Sequence, residues 1–321
     1  MKTVTNALLL AVVIICSASA SAQYPARPIR LVVPFPAGGP TDIVARTVSQ
    51  KLSDSLGQPV VIDNRGGAGG VIGTELVVKS PADGHTLLLG TISGLAVAMS
   101  LYPSRGYDTL RDLAPITHGV MVTNILVVHP SLPVRSVKEL LALARAKPGT
   151  LNYASSGSGT ITNLAGELFK NLARVDIVHV PFKGGAPALT ALLSGEVSMN
   201  FENSLIVVPH IKSGKVRALA VTGAQRSRSV PDLPTITEAG LPGYGASGWY
   251  GFVAPAATPK DIVTRLAGEF NRILKQPDVV ERLSSQGAEP VGGTPEQFGA
   301  FIRDEINKWA KLVKSANMKA E

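Results

Sequence analysis

The 321-residue chain contains one cysteine, few aromatic residues and no dense cluster of charge. Because Cys16 lies in a segment that we expect to be removed, the mature chain has no thiol for nucleophilic catalysis, metal binding or redox chemistry. Aromatic residues make up only 5%, and the net charge of +8 is spread along the chain. A nucleic-acid-binding surface would cluster basic residues among aromatics. The sequence therefore predicts no nucleic-acid partner and only a general attraction for anions.

Motifs of catalysis are also absent. No Gly-x-Ser-x-Gly or Ser-x-x-Lys run occurs, and no two of the five histidines have the helical spacing of metal ligands. The glycines of residues 65–70 do not match the dinucleotide-binding pattern, so we interpret this run as a structural turn. The sequence predicts no catalytic residue, no metal and no cofactor, although an enzyme on a similar scaffold stays open as an alternative.

The N-terminal residues 1–22 have the pattern of a cleavable secretory signal. Lys2 precedes an apolar stretch at residues 7–16, and Ala20-Ser21-Ala22 offers small residues for cleavage. The apolar stretch is well short of the ~20 residues that span a bilayer. We therefore predict export to the periplasm.

Two alternatives to cleavage after Ala22 are a retained membrane anchor and a lipoprotein. The lipoprotein would carry its lipid on Cys16, but the bulky Ile15 stands where such sites favour a small residue.

Short β-branched runs alternate with helical stretches, which is typical of an α/β protein. Within residues 43–56, Val44, Val48 and Leu52 predict one buried helix stripe. Capping boxes at 136–139 and 294–297 predict two further helix starts. The expected strands are residues 29–35, 60–63, 86–90, 125–129, 151–154, 177–182, 197–201, 216–222 and 250–254.

Turn-forming segments follow the strands at 125–129 and 216–222. We interpret these strands as paired crossovers between two lobes. The first lobe is then discontinuous, with residues 23–127 and 223–321, and the second comprises residues 128–222. Each lobe is expected to contain a mainly parallel sheet flanked by helices.

Two strand-to-helix loops have the composition of anion-binding sites. The run PFPAGGPTD at residues 34–42 ends a strand and leads directly into a helix, and SSGSGT at residues 155–160 does the same. Such a junction offers unpaired backbone N–H groups and the positive end of the helix dipole. A similar but less closely matching run, VPFKGGAP, occurs at residues 180–187. The pattern predicts a small acidic ligand held between two lobes.

With these motifs in place, nearly all of the expected mature chain resembles the extracytoplasmic solute-binding receptors of tripartite tricarboxylate transporters, the Bug receptors. The resemblance rests on the loops above and on the runs at 28–35, 81–87, 151–155, 179–184, 214–220 and 249–251. It implies a two-lobed, type II-like periplasmic binding protein with a carboxylate in the cleft, a monomer that serves the membrane permease subunits. A sensor that serves a signalling partner is the alternative.

The candidate ligand-binding residues come from both lobes. Asn163 stands where the family commonly has histidine, and Asn200 where it commonly has an acidic residue, so the ligand of a relative does not transfer directly. The first lobe contributes Phe35, Ala37, Gly38, Gly39, Thr41, Asp42 and Thr91, and the second Ser155, Ser156, Gly159, Thr160, Asn163, Lys183, Gly184, Gly185 and Glu202.

Overall fold

The computed structural model describes residues 24–320, which form two sheets flanked by helices. The predicted signal segment lies outside the described residues. The strands are β1 (Ile29–Val33), β2 (Val60–Asn64), β3 (Thr86–Thr91), β4 (Leu113–Val122), β5 (Asn124–Val128), β6 (Asn152–Ser155), β7 (Val178–Pro181), β8 (Met199–Asn203), β9 (Arg217–Val221), β10 (Gly248–Pro255) and β11 (Ala288–Pro290).

The helices surround these sheets, and none among residues 24–320 is both long and apolar enough to cross a membrane. A 3-10 turn at Ala68–Gly70 and a π-helical turn at Ser93–Val97 interrupt the first lobe's connections. The α-helices are α1 (Pro40–Leu56), α2 (Val71–Val78), α3 (Ala98–Leu101), α4 (Thr109–Asp112), α5 (Val137–Ala146), α6 (Ile161–Ala173), α7 (Gly185–Ser194), α8 (Ser204–Lys212), α9 (Lys260–Leu274), α10 (Pro277–Ser284) and α11 (Pro295–Ser315).

The first sheet has the strand order β11-β4-β10-β3-β1-β2, and the second has the order β7-β6-β8-β5-β9. In each sheet most strands run in a common direction, as predicted. The reversed strands are β10 and β11 in the first sheet and β5 in the second, so several pairings are antiparallel. The sequence missed β4 and β11, because Pro115, Gly119 and Pro290 interrupt their apolar patterns.

The chain passes from the first sheet to the second at Thr123 and enters the first sheet again at β10. Before that return, residues 223–247 lie beside the second sheet, where the Ile236 N–H donates to the Val221 carbonyl and the Tyr244 hydroxyl donates to the Ala165 carbonyl. Strands β5 and β9 pair with one another, with Ile125 opposite Val221. However, β5 lies entirely in the second sheet, whereas the sequence placed the lobe boundary at 127/128. The overlooked strand β4, rather than β5, is the last one before the crossing.

The helices pack as their apolar patterns predict. Helix α1 buries Val44, Val48 and Leu52 against the first sheet. Helix α5 begins at a side-chain cap from Ser136, and α11 begins at a complete capping box formed by Thr294 and Gln297. These contacts fix the scaffold from which the strand-to-helix loops extend into the space between the sheets.

Candidate functional site

Three helices from the two sides of the molecule begin at one cavity between the sheets. Their N-cap residues are Gly39 for α1, Thr160 for α6 and Gly184 for α7, and none makes a side-chain capping hydrogen bond. The empty space is about 520 Å³, part of it open to solvent. It is lined by Phe35, Pro36, Gly39, Pro40, Thr41, Thr91, Ile92, Ser93, Ser156, Thr160, Ile161, Thr162, Gly184, Gly185, Ala186, Pro187, Asn203 and Tyr250.

The loop before α1 is shaped by Asp42, which does not itself line the cavity. Its carboxylate accepts hydrogen bonds from the Gly38 N–H at 3.0 Å, from Arg46 Nε at 2.8 Å and from Asn64 Nδ2 at 3.1 Å. Asn64 Nδ2 also donates to the Phe35 carbonyl. Burial raises the pKa of Asp42, but the hydrogen bonds from Arg46, Gly38 and Asn64 outweigh burial and lower it. Asp42 therefore stays ionised and holds the loop in place.

Hydroxyl groups of the first lobe face the cavity beside this helix. Thr41 is 3% exposed, and its Oγ1 has no hydrogen-bond partner among the described residues. Thr91 Oγ1 and Ser93 Oγ lie 2.8 Å apart on the same wall. A buried polar atom without a partner is costly, so the unpaired Thr41 hydroxyl indicates a position for a polar ligand atom.

The loop before α6 is stabilised by its own side chains. Thr162 Oγ1 accepts from the Ser156 N–H at 2.8 Å, and Thr160 Oγ1 donates to the Gly157 carbonyl at 2.6 Å. Ser155 Oγ accepts from the Gly157 N–H at 3.1 Å and lies 2.6 Å from His179 Nε2. Ser156, Thr160 and Thr162 consequently reach the cavity, while Ser155 supports the loop from behind.

Asn163 also supports this loop from behind. Its Oδ1 accepts from the Gly159 N–H at 3.0 Å, and its Nδ2 donates to the Tyr153 hydroxyl at 3.0 Å. The replacement of the family's histidine by asparagine therefore changes the loop's support rather than the cavity lining.

The loop before α7 meets the loop before α1 across the cavity. A Cβ atom on Gly184, which has φ +116°, would lie 3.2 Å from Pro36 Cδ, so only glycine fits without displacement. Lys183 is exposed and lines an adjoining cavity with Asn64 and Tyr102. The Tyr102 hydroxyl donates to the Ser158 carbonyl at 3.1 Å, which joins the two lobes at this edge.

The floor of the cavity is formed by Asn203 from β8 and Tyr250 from β10. Asn203 Nδ2 donates to the Tyr250 hydroxyl at 2.9 Å, and the Asn203 N–H donates to Glu202 Oε1 at 2.8 Å. Glu202 Oε2 also accepts from Asn200 Nδ2 at 2.7 Å. Burial, only partly offset by these hydrogen bonds, raises the pKa of Glu202 to about 8. Glu202 is thus a largely protonated carboxyl behind the floor at neutral pH.

The structure brings half of the predicted residues into the cavity wall. Those that line it are Phe35, Gly39, Thr41, Thr91, Ser156, Thr160, Gly184 and Gly185. Others lie behind the wall or outside it: Ala37, Gly38, Asp42, Ser155, Gly159, Asn163, Lys183 and Glu202.

Sequence reasoning missed several polar groups that line the cavity, namely Ser93, Thr162 and Asn203. A signal for Asn203 was available. Strand β8 leads directly into α8, so Asn203 occupies another strand-to-helix junction. Thr162 lay just past the hydroxyl-rich loop, inside the helix that the loop begins.

A metal centre is not evident in the part of the chain described. No three His, Cys, Asp or Glu side chains within residues 24–320 come together as metal ligands would. The cavity offers backbone N–H groups and hydroxyls, which suit an anion bound without a cationic side chain.

Comparison with known proteins identifies the family of this chain. Residues 44–318 match the model of the tripartite tricarboxylate transporter family receptor. Protein BugT of Bordetella pertussis is 45% identical over 297 residues, covering 92% of this chain and 91% of that protein.

Solved structures show the same fold. R. palustris Rpa4515 with adipate has a TM-score of 0.90 and 40% identity, covering 92% of this chain and 99% of that one. MatC from Rhodopseudomonas palustris with bound malate has a TM-score of 0.86 and 34% identity, covering 90% and 100%. The chain therefore belongs to the tripartite tricarboxylate transporter receptor family, whose members are periplasmic solute-binding receptors.

Proposed function

We propose that the protein binds a small organic carboxylate in the cavity between its lobes and delivers it to the membrane permease of a tripartite tricarboxylate transporter, without chemical change to the ligand. The observation that carries the proposal is the convergence of α1, α6 and α7, whose N-cap residues are buried in the cavity wall and make no side-chain cap. Their N–H groups and dipoles favour a negative group at the point where they meet.

The class of ligand follows from the cavity and from relatives. Rpa4515 and MatC are seen with adipate and malate, which are both carboxylates. No lysine or arginine is among the residues lining this chain's cavity, so the charge of the ligand is balanced by hydrogen-bond donors. Charge-assisted hydrogen bonds of this kind contribute about 1.5–3 kcal/mol each.

We further propose that binding closes two lobes that separate when the cavity is empty. The first lobe comprises the strands of the six-stranded sheet and the second those of the five-stranded sheet, with one crossing at Thr123 and the other just before Gly248. Contacts such as Tyr102 with Ser158 would form on closure. Small-angle scattering should show a smaller radius of gyration with saturating ligand than without it.

We also propose that residues 1–22 are cleaved on export. Sequencing the N-terminus of the protein recovered from the periplasm tests this, and an unprocessed chain, or lipid on Cys16, would contradict it.

A thermal-shift screen with succinate, malate, adipate, glutamate and benzoate, extended to a wider library of organic acids, tests the ligand class. An acid at a hundred times its Kd should add about 2.7 kcal/mol to the free energy of unfolding. The neutral amides of the same acids are the control. If the acids give no shift, or the amides stabilise equally, the carboxylate proposal is wrong.

A further inference from the structure

We propose that the hydroxyl of Tyr250 donates a hydrogen bond to the bound carboxylate, and that Asn203 aims it. This inference rests on the proposed function and assigns a ligand-binding role to the cavity floor. Tyr250 lines the cavity and is 5% exposed, so its hydroxyl has little access to bulk water.

Hydrogen-bond donors and acceptors fix the direction of the Tyr250 proton. Asn203 Oδ1 accepts from the Leu205 N–H at 3.1 Å, which orients the amide so that Nδ2 points to the phenol. The Tyr250 oxygen then accepts from Nδ2 at 2.9 Å. Within residues 24–320 no other group is hydrogen-bonded to this hydroxyl. Because Nδ2 is a donor only, the phenolic proton cannot point at it and is left to face the cavity.

The environment keeps this hydroxyl protonated. Burial, with a further contribution from the nearby Glu202 carboxyl, raises the pKa of Tyr250 well above its ordinary value. The group is therefore a donor over the whole physiological pH range, and a donor with no partner favours an acceptor such as a carboxylate oxygen.

The pair also links the two lobes. Tyr250 lies on β10 of the first sheet and Asn203 at the end of β8 in the second, so their hydrogen bond crosses between sheets. Asn203 orients the Tyr250 hydroxyl only when the two lobes are in contact. Tyr250 thus donates its hydrogen bond in the closed state. In that state the N-termini of α1, α6 and α7 also surround the carboxylate.

The first test is Tyr250→Phe, measured by calorimetry with the acids of the screen and with their fully amidated forms. The loss of one hydrogen bond to a charged group should weaken acid binding by about tenfold to a hundredfold, and the ratio of acid to amide affinity should fall. The matched control is Tyr244→Phe, which removes a buried hydroxyl that donates to the Ala165 carbonyl and lies outside the cavity. It should leave that ratio unchanged.

The second variant, Asn203→Asp, keeps the phenol and the acceptor that caps α8. A carboxylate in place of the amide would accept the Tyr250 proton and turn it away from the ligand. Acid binding should fall at least about tenfold although the tyrosine is intact. Because the new carboxylate lines the cavity and itself repels an acid, the uncharged variant Asn203→Ala is measured beside it. Asn203→Ala should also lower the acid-to-amide ratio, since the phenol loses the group that orients it, and it serves as the test if Tyr250→Phe is too unstable to measure.

The outcomes separate the two proposals. If the wild-type protein binds none of the acids, the proposed function is wrong and this inference with it. If the wild type binds an acid and the variants at Tyr250 and Asn203 bind it with unchanged affinity and unchanged acid-to-amide ratio, the function stands and the role of Tyr250 is wrong.

Discussion

The helices of this protein begin in two different ways. Away from the ligand, α4, α5 and α11 begin at side chains that cap their N–H groups, from Asp108, Ser136 and Thr294. At the cavity, α1, α6 and α7 begin without such caps, whereas α8 begins there with a side-chain cap from Asn203. Helices α9 and α10 also lack caps, but their starts are exposed and water can satisfy them.

A buried helix start without a cap leaves several N–H groups unsatisfied, which is unfavourable in the empty protein. A carboxylate would satisfy them and complement the helix dipole. The comparison teaches that side-chain caps stabilise the scaffold, whereas the uncapped starts of α1, α6 and α7 leave donors at the cavity for a ligand. The two kinds of start should therefore respond oppositely to mutation.

The largest effect is expected from Gly39→Val at the start of α1. Gly39 has φ −84°, and a Cβ atom there meets only the Pro36 carbonyl at 3.4 Å, so the backbone tolerates a side chain. The branched group would occupy the space in which the carboxylate approaches the N–H groups. Acid affinity should fall by at least about a hundredfold, the loss of one or two charge-assisted hydrogen bonds.

Calorimetry measures this loss, and Gly245→Val is the control. A Cβ atom on Gly245 has open space around it, and the residue is not part of the cavity wall. That variant should bind acids as the wild type does. Retained affinity in Gly39→Val would show that the start of α1 does not hold the ligand.

Thr41→Val should give the next largest effect. The substitution keeps the side-chain shape but removes a hydroxyl that has no partner in the described part of the chain. Acid affinity should fall about tenfold to a hundredfold if the hydroxyl contacts the carboxylate. The free energy of unfolding without ligand should stay the same or rise, because an unsatisfied buried group is removed. A loss of stability with unchanged affinity would contradict this assignment.

The sequence predicts those features of the site that depend only on neighbouring residues in the chain. The strand-to-helix junctions at Gly39 and Thr160 are visible as glycine and hydroxyl runs between β-branched and helical patterns. The sequence does not show which side of a loop each side chain takes. Asp42 ends one predicted loop and Asn163 lies in the helix just after the other, yet both turn away from the cavity to bind loop N–H groups.

The fold shows the same difference between features set by neighbouring residues and features set by distant ones. Strands with continuous apolar runs, such as β1 and β5, were predicted nearly to the residue. Strand β4 contains Pro115, His118 and Gly119, and its pairing with β10 has irregular register, so only its long-range partners make it a strand. Tyr250 likewise meets Asn203 only through the pairing of distant segments, which no local pattern reveals.

Glu202 gives a pH-dependent test of the start of α7. A Cβ atom on Gly185 would lie 3.3 Å from Glu202 Oε1, so this carboxyl is beside the helix end. Its folded-state pKa of about 8 lies above its ordinary value of 4.5, so ionisation disfavours the fold. Its contribution to stability should decrease as the pH rises from 4.5 to about 8.

Glu202→Gln should remove this decrease of stability with rising pH. Asn200 Oδ1 has no partner in the described chain, and rotation of its amide would let it accept from the new amide group. Acid binding to the wild type should weaken above pH 8, where ionised Glu202 repels the ligand, and the variant should show no such decline. Denaturation and calorimetry over pH 5–9 measure both. Parallel pH profiles for the two proteins would contradict the buried, protonated state of Glu202.

The smallest effects are expected from substitutions at two threonines with closely matched backbone conformations. Thr160 and Thr294 are both N-cap residues with nearly the same backbone, at φ −74°, ψ 161° and φ −83°, ψ 160°. Thr294 caps its helix through the Gln297 N–H, whereas Thr160 Oγ1 contacts the Gly157 carbonyl and Thr162 Oγ1. The hydroxyl of Thr160 therefore stabilises the loop before α6 and does not cap the helix.

Alanine at the two positions should therefore have opposite consequences. Thr294→Ala should lower the free energy of unfolding by about 1 kcal/mol with acid affinity unchanged, because only a cap is lost. Thr160→Ala should weaken acid binding by about 1–2 kcal/mol, since the loop that presents the first turn of α6 loses a hydrogen bond on the cavity side. Urea denaturation and calorimetry on both variants measure the four quantities. Equal losses of stability with no loss of affinity in either variant would mean that the buried start of α6 is an ordinary helix end.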